Sequence, residues 1–482
     1  LLHFIKKRVL IMSNIFDIAI IGAGPGGMSA ALEAAQQGAS VAVLDRKATP
    51  GGQIYRDVTQ SPLLDPSVLG SEYTEGAELV QAFLEADIDR HQNADVWHIG
   101  ENGEVLYSQD NQTRRLVARE LIISPGAMER PFPIEGWHLP GVMTAGSAQV
   151  MLKSDGMVKD GAIFAGTGPL LYLIVAQYLR LGVTVNAVVD TTPAGGVGRA
   201  MQHLGGALRK PAYLIKGLKL LNEIRRAGVP VFRHASNLSI LGESKAVGLQ
   251  FQQDGRTHSI NADHVFLHQG VIPNLNMTRA LGMEHHWAEQ QLCWTPVLDD
   301  WGQSSIPHIA VVGDAAGIQG AETARHAGRL AALKAMSKLG KLNDADLQQE
   351  SSAHLKAIKS FKAFRSFLDA YYPPTPEHRI PAATNTLVCR CEEQTMGQLR
   401  AGFEQGAKDP NALKALTRCG MGPCQGRQCG HTVSELLADW QNKPVSDIGY
   451  YRLRSPQRLL SVEELSQFQN IKPVQKPAEV SA

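Results

Sequence analysis

Apolar positions along the chain recur with two periods, and the changes between them mark out elements. FDIAII (16–21) and SVAVL (40–44) are short, dense apolar runs of the buried-strand kind. Between them, GAGPGG makes a tight turn and MSAALEAAQQ (28–37) carries its apolar residues at helical spacing. The same strand, turn, helix, strand order returns in GAIFAGTGPLLYLIVAQYLRLGVTVNAVVD (161–190). Each unit is followed by strand-and-turn sequence, 96–124 in the first case and 238–268 in the second, ending in a run that predicts a buried strand. A third glycine turn stands in IPHIAVVGDAAGIQGAETARHAGRLAALKAM (306–336), where strand IAVV precedes a helix lined with Ala and Gly. The pattern predicts an α/β protein with two Rossmann-type dinucleotide-binding domains. A charged helical stretch (343–372) closed by PPTPEHRIP (373–381) then leads to a small, mostly helical domain. Its second short helix is expected to start with Asp409 as N-cap and Pro410 at the first turn.

At 482 residues the chain has room for about three domains. Lys and Arg total 47 against 46 Asp and Glu, a net charge of +1, which gives no electrostatic footprint for a nucleic-acid partner. No apolar run reaches the ~20 residues needed to span a bilayer, so a soluble, cytoplasmic protein is expected. Residues 1–11, LLHFIKKRVLI, read as a start-site extension before Met12, with a short membrane-surface arm as the lesser reading.

The glycine turns carry the first chemistry. Gly22, Gly24 and Gly27 satisfy G-x-G-x-x-G, and Asp45 ends the second strand, about 20 residues after Gly24, where an acid meets the adenosine ribose of a dinucleotide. One glycine serves the turn, one the approach of backbone to pyrophosphate, and one the packing of helix on strand. In the second unit Gly166, Gly168 and Asp190 hold the matching places, but Leu171 replaces the third glycine and is expected to crowd helix against strand. That leaves an occupied second nucleotide site and an altered or empty one both open. Gly313 and Asp314 in the third turn read alone as a turn, and together with the first unit as the far half of a flavin site.

Cysteine usage is lopsided, with none before Cys293 and five between Cys389 and Cys429. Cys389 and Cys391 at one end, and Cys424 and Cys429 at the other, can converge on one soft metal centre. Three readings stand: a 2Fe-2S cluster, a four-cysteine zinc site, and free or redox-switching thiols. Spacing alone allows Cys419 to replace Cys424. Gly420, Gly422 and Gly426 are expected to bring backbone N–H groups toward the sulfurs. Cys293 reads as a small buried hydrophobe, and His268, His285 and His286 as packing or surface residues.

The succession of GxGxxG, Asp45, Gly51-Gly52-Gln53, a second nucleotide-type unit and Gly313-Asp314 resembles the two-dinucleotide-domain flavoproteins of the glutathione-reductase type. That resemblance implies a discontinuous FAD domain (12–155 and 261–340) around an inserted nicotinamide-type domain (156–260). The connector (341–384), cysteine domain (385–440) and tail (441–482) follow. It also implies FAD held by Gly22, Gly24 and Gly27, with Asp45 on the ribose, Gly52 and Gln53 nearby, and Asp314 on the ribityl chain. Unlike the disulfide reductases of this type, the chain has no cysteine pair to place beside the flavin. The cysteine segment, with CRCEE and TRCGMGPCQGRQC, is similar to bacterioferritin-associated-ferredoxin-type 2Fe-2S domains. By that similarity Cys389, Cys391, Cys424 and Cys429 are ligands and Cys419 is not.

GAGPGG, GTGPLL, HQGVIPN (268–274), GDAAGIQGAE (313–322), the cysteine segment and GYYRLR (449–454) together resemble the alpha subunits of heteromeric dye-linked amino-acid dehydrogenases. The A component of opine oxidase, the B component of hydrogen cyanide synthase and D-hydroxyproline dehydrogenase alpha belong to that group. The resemblance implies a glycine-oxidase-like flavoprotein partner that dehydrogenates the amino substrate, a downstream electron acceptor, and an electron-transfer role here. A second nucleotide or an interface flavin, and a peripheral membrane association through partners, are compatible with it. No catalytic acid, base or nucleophile is then required of this chain. The competing readings are a stand-alone NAD(P)H:acceptor reductase, with Asp190 favouring NADH, and an electron-transfer docking module without turnover of its own.

Overall fold

The structure is a computed structural model and describes residues 15–100 and 102–468; the segment 1–11 and Met12 lie outside the described residues. The dense apolar runs form parallel strands because both of their faces are covered. In the first sheet the order is Asp89–His91, Val41–Leu44, Ile15–Ile21, Gln112–Ile123, Glu104–Gln109, Asp95–Ile99. The long strand Gln112–Ile123 divides its outer edge. Residues 112–117 pair antiparallel with Glu104–Gln109, and Leu121–Ile123 pair parallel with Ile309–Val311. A strand from late in the chain is thereby laid beside the first ones. The carboxyl ends of Ile15–Ile21, Val41–Leu44 and Ile309–Val311 run directly into the Gly22 turn, Asp45 and the Gly313 turn.

Helix Pro25–Gln36 covers one face of this sheet, with Met28, Ala30, Ala31 and Ala34 wholly buried. It packs closely on helix Ala321–Lys338, because a Cβ on Gly328 would be driven into the Gly26 carbonyl oxygen. The approach holds the third glycine turn against the first.

The second sheet is parallel, in the order Val231–Arg233, Val185–Asp190, Ala162–Thr167, Val265–Gln269, Val142–Thr144. Two of its strands lie beyond the inserted segment expected from sequence. Val142–Thr144 precedes the boundary at 155, and Val265–Gln269 follows that at 260. The reason is pairing: Val265–Leu267 bonds to Ile163–Ala165 on one side and to Val142–Thr144 on the other. The two crossings between the domains, Ala127–Glu129 and Val271–Pro273, pair antiparallel with each other. A separate three-stranded antiparallel sheet (Ser236–Leu241, Gly248–Gln253, Arg256–Asn261) completes this domain.

The connector is a 28-residue helix, Asp344–Tyr371, capped by the Asn343 side chain, which accepts the Asp346 N–H at 2.9 Å. Beyond it, the hairpin Leu387–Cys389 and Gln394–Thr395 leads into helices Met396–Glu404, Pro410–Thr417 and Gly430–Gln441. Thr395 and Gln398 form a capping box on the first, and Asp409 caps the second by accepting from Asn411 and Ala412 N–H. This domain shares a core with Trp287 and Trp294 of the hairpin His285–Ala288 and Cys293–Pro296. The Arg379–Glu435 ion pair and the bond from Trp137 Nε1 to Leu387 O (2.7 Å) tie it to the rest.

Candidate functional site: a dinucleotide cradle and a thiol cluster

Each glycine of the first turn has a separate job in the structure. Gly22 has φ +105, and Gly27 lies so close beneath it that a Cβ there would strike the Gly22 carbonyl oxygen. Gly24 is different: its φ of −79 suits any residue, and a Cβ would find nothing nearer than Gly52 Cα at 3.9 Å. Gly24 therefore faces open space across from Gly52, where helix Pro25–Gln36 presents its free N–H groups. The loop Gly51-Gly52-Gln53 is held there by the bond from Gly51 N–H to Ala23 O (2.8 Å).

Asp45 borders a pocket formed with Ala23, Val43, Lys47, Phe83 and Arg90. Its oxygens accept from Ala23 N–H (2.6 Å) and Lys47 N–H (2.7 Å), while burial pushes its carboxyl up from the usual range. On the far side, Asp314 Oδ1 accepts from Gln319 and Gly320 N–H (2.9 Å each), just before helix Ala321–Lys338. Gly24, Gly52, Asp45 and Asp314 thus line one edge of one sheet, and a pyrophosphate between two nucleoside ends fits the open face of Gly24.

Lys153, nearly fully buried, is a residue that sequence reasoning missed. Its Nζ donates to Gln53 O (3.1 Å), Ile54 O (2.9 Å) and Gln149 Oε1 (3.3 Å), while Gln53 Oε1 accepts from Arg56 (2.8 Å). Burial, with Arg56 adding to it, pulls Lys153 down to about 7. The lysine fastens helix Ala145–Asp155 of the second domain to the first domain's glycine loop. Nothing in the spacing between 53 and 153 announces it.

The second unit keeps its turn but fills its own seat. Gly166 (φ +142) and Gly168 (φ +106) lead into helix Pro169–Arg180. Leu171 does not splay this helix: it is fully buried in the cluster with Phe164, Tyr178 and Phe266. The obstacle lies one residue on. Asp190 Oδ2 accepts from the Tyr172 hydroxyl (2.5 Å), and Oδ1 from the Thr192 N–H (2.8 Å) and hydroxyl (2.5 Å). Asp190 is buried beneath the Tyr172 and Thr192 side chains and offers little to a ribose, whereas Asp45 is half-buried and accepts only from main-chain N–H groups. His268 is buried, its Nδ1 2.8 Å from Glu129 Oε2, and His285 is bonded to Thr278 and Met283.

In the small domain the Sγ atoms of Cys389, Cys419 and Cys429 lie within 4.8 Å of one another, all three buried. Bonds from the Cys419 and Cys429 thiols hold Cys389 down to about 2, as the thiolate of the group. Cys391 and Cys424, half-buried, face each other beside them. Three of the five thiols cluster, and Cys419, set aside on resemblance, stands among them. Gly420 donates its N–H to Cys389 as expected. Gly422 and Gly426 serve another end: a Cβ on Gly422 would strike Cys391, and one on Gly426 would strike the Tyr451 ring. Tyr451 is buried with its hydroxyl 3.5 Å from Cys419 Sγ and 3.8 Å from Cys429 Sγ. A buried set of soft thiolate donors fits an iron-sulfur cluster.

Comparison with known proteins agrees with both halves. Residues 16–162 match the family described as pyridine nucleotide-disulphide oxidoreductase, and residues 387–439 the BFD-like [2Fe-2S] binding domain. Over 460 residues the chain is 40% identical to the A component of opine oxidase from Rhizobium meliloti (strain 1021), covering 94% of this chain and 99% of that one. The chain belongs to the family of opine oxidase A components. Hydrogen cyanide synthase subunit HcnB of Pseudomonas aeruginosa is 32% identical over 94% of this chain and 98% of its own. Among solved structures, L-proline dehydrogenase from P. horikoshii shares the fold, with a TM-score of 0.68 at 18% identity over 94% of this chain and 79% of that one. The chain is an FAD-dependent oxidoreductase with a 2Fe-2S domain. Its matched flavoprotein segment holds no dithiol, since the first cysteine is Cys293, buried and pushed up to about 12. No helix among the described residues is long and apolar enough to cross a membrane.

Proposed function

We propose that this chain is the electron-transfer subunit of a heteromeric amino-acid or opine dehydrogenase. A glycine-oxidase-like flavoprotein partner would dehydrogenate the substrate, and this chain would move the electrons on toward a downstream acceptor. The observation that carries the reading is that one chain holds both an open dinucleotide cradle and a buried thiol cluster, whose domain packs on Trp287 and Trp294 shortly before the Gly313 turn. FAD takes electrons in pairs and a 2Fe-2S cluster carries them singly, so together they supply conversion between the two.

In this reading Gly22, Gly24 and Gly27 hold the pyrophosphate, Asp45 the ribose, Gly52 and Gln53 wall the cradle, and Gly313 and Asp314 meet the ribityl chain. Cys389, Cys391, Cys424 and Cys429 hold the cluster. The names of the relatives, components of opine oxidase and hydrogen cyanide synthase, support both the partner and the substrate class. The site around Asp190 counts against a stand-alone NADH reductase, because Tyr172 and Thr192 already occupy the carboxylate.

The test is reconstitution. The purified chain alone should fail to reduce an artificial dye when either an opine or NADH is the electron donor, and co-expression with a glycine-oxidase-like flavoprotein subunit should confer opine-dependent dye reduction. Opine turnover by the isolated chain would overturn the division of labour. Fast reduction of its flavin by NADH would favour the reductase reading.

A further inference from the structure

We propose that residues 196–226 form a surface that docks the chain on an anionic lipid bilayer. The helices Gly196–Met201, Leu204–Ala207 and Pro211–Arg226 leave the second domain after strand Val185–Asp190. Val197 and Met201 lie on the first of these helices, Leu204 opens the second and Leu208 caps its end, so the four mark a face spread over two short helices. That face is turned outward: the four are 64%, 56%, 38% and 63% exposed, and Ile215 and Leu218 on the next helix are 52% and 67% exposed.

The inward face is already taken. Gly196 and Gly206 lie against the backbone of helix Asp344–Tyr371, at Tyr371 O and Ala363, and Tyr213 packs on Phe361 and Phe364. The exposed stripe is therefore the side these helices turn away from the long helix, with its own contacts unmade. Isolated exposed apolar residues are ordinary on a protein surface, but a stripe of six within 22 residues marks a place of contact.

Charge selects the occupant. Residues 196–226 contain seven Lys and Arg against the single acid Glu223, in a chain whose whole net charge is +1. Glu223 is itself paired to Arg180. Arg209, Lys219, Arg225 and Arg226 are exposed, flanking the apolar stripe. An apolar face edged with cations is the pattern of a helix lying in a bilayer interface, where side chains enter the acyl boundary and cations meet anionic headgroups. The surface is independent of the proposed reaction.

The FAD-loaded full chain is sedimented with vesicles of phosphatidylcholine, with and without phosphatidylglycerol, at low and high salt. Binding to the anionic vesicles is expected to exceed that to phosphatidylcholine by at least about tenfold and to fall with salt. The variants Leu204→Glu with Leu208→Glu, and Arg225→Glu with Arg226→Glu, should each lose at least about tenfold in binding. Because these side chains are exposed, flavin absorbance and unfolding midpoint should hold. Equal binding by wild type and variants, or none by either, overturns the proposal. So does a wild type that ignores vesicles while the variants lose self-association or the co-expressed partner, which would assign the face to protein contact.

Discussion

Gly24 and Gly27 stand three residues apart in one turn, yet the structure gives their substitution by alanine opposite consequences. A methyl on Gly27 meets the Gly22 carbonyl oxygen and, at 3.3 Å, the Ile20 side chain, so strand and helix must separate. Overpacking of this kind costs about 1–3 kcal/mol, and in a chain of 482 residues each kcal/mol moves the midpoint by roughly 1 °C. A methyl on Gly24 meets only Gly52 Cα at 3.9 Å, with φ −79 imposing no strain. Alanine is a poorer N-cap than glycine by about 0.5 kcal/mol, but it also stiffens the unfolded chain by about 0.4–1 kcal/mol, so the apoprotein should be nearly unchanged. The methyl occupies the gap the pyrophosphate needs. FAD affinity should therefore fall by at least about 1.4 kcal/mol, a factor of ten. The assay pairs FAD content, from visible absorbance after dialysis, with the thermal midpoint of the apoprotein. Gly24→Ala with wild-type FAD content, or with FAD loss matched by a large drop in midpoint, would refute this account of the cradle.

Anaerobic titration with NADH should leave the flavin of the isolated chain oxidised on the timescale of turnover, because Asp190 is engaged by Tyr172 and Thr192; rapid bleaching would show that the seat opens. Cys424→Ala should lose iron and acid-labile sulfide while keeping FAD, and Cys419→Ala should keep both; since Cys419 lies with Cys389 and Cys429, a cluster retained in Cys424→Ala would identify Cys419 as a ligand. Tyr451→Phe removes a hydroxyl 3.8 Å from Sγ of the proposed ligand Cys429 and should lower the cluster's reduction potential at unchanged iron content, read by redox titration with low-temperature resonance; an unmoved potential would deny the contact. Lys153, pulled from 10.5 to about 7, is neutral in the folded chain but charged in the unfolded chain between those values. The unfolded state then binds more protons, so stability should rise with pH from about 7 to 10.5, and the burial penalty is felt in full below 7; a Lys153→Met variant with the same pH profile of unfolding would contradict this.

The sequence by itself determined the local grammar. FDIAII and SVAVL form strands, GAGPGG turns into a helix, and Asp409-Pro410 starts another, because each depends on periodicity, glycine conformation or capping within a few residues. The strand ends that carry Gly22, Asp45 and Asp314 were legible for the same reason. What lay beyond reach depended on partners distant in the chain. Val142–Thr144 and Val265–Gln269 belong to the second sheet through pairing that no local pattern records. Leu171 fits because Phe164 and Phe266 make room for it, whereas Tyr172, unremarkable in sequence, reaches Asp190. Lys153 meets the Gly52 loop across 100 residues, and Tyr451 reaches back 32 residues to Cys419. Which thiols are buried together, and which glycines make room for a ring rather than a sulfur, follows from packing density in three dimensions. One-dimensional spacing leaves those choices degenerate, and only the closed core removes the degeneracy.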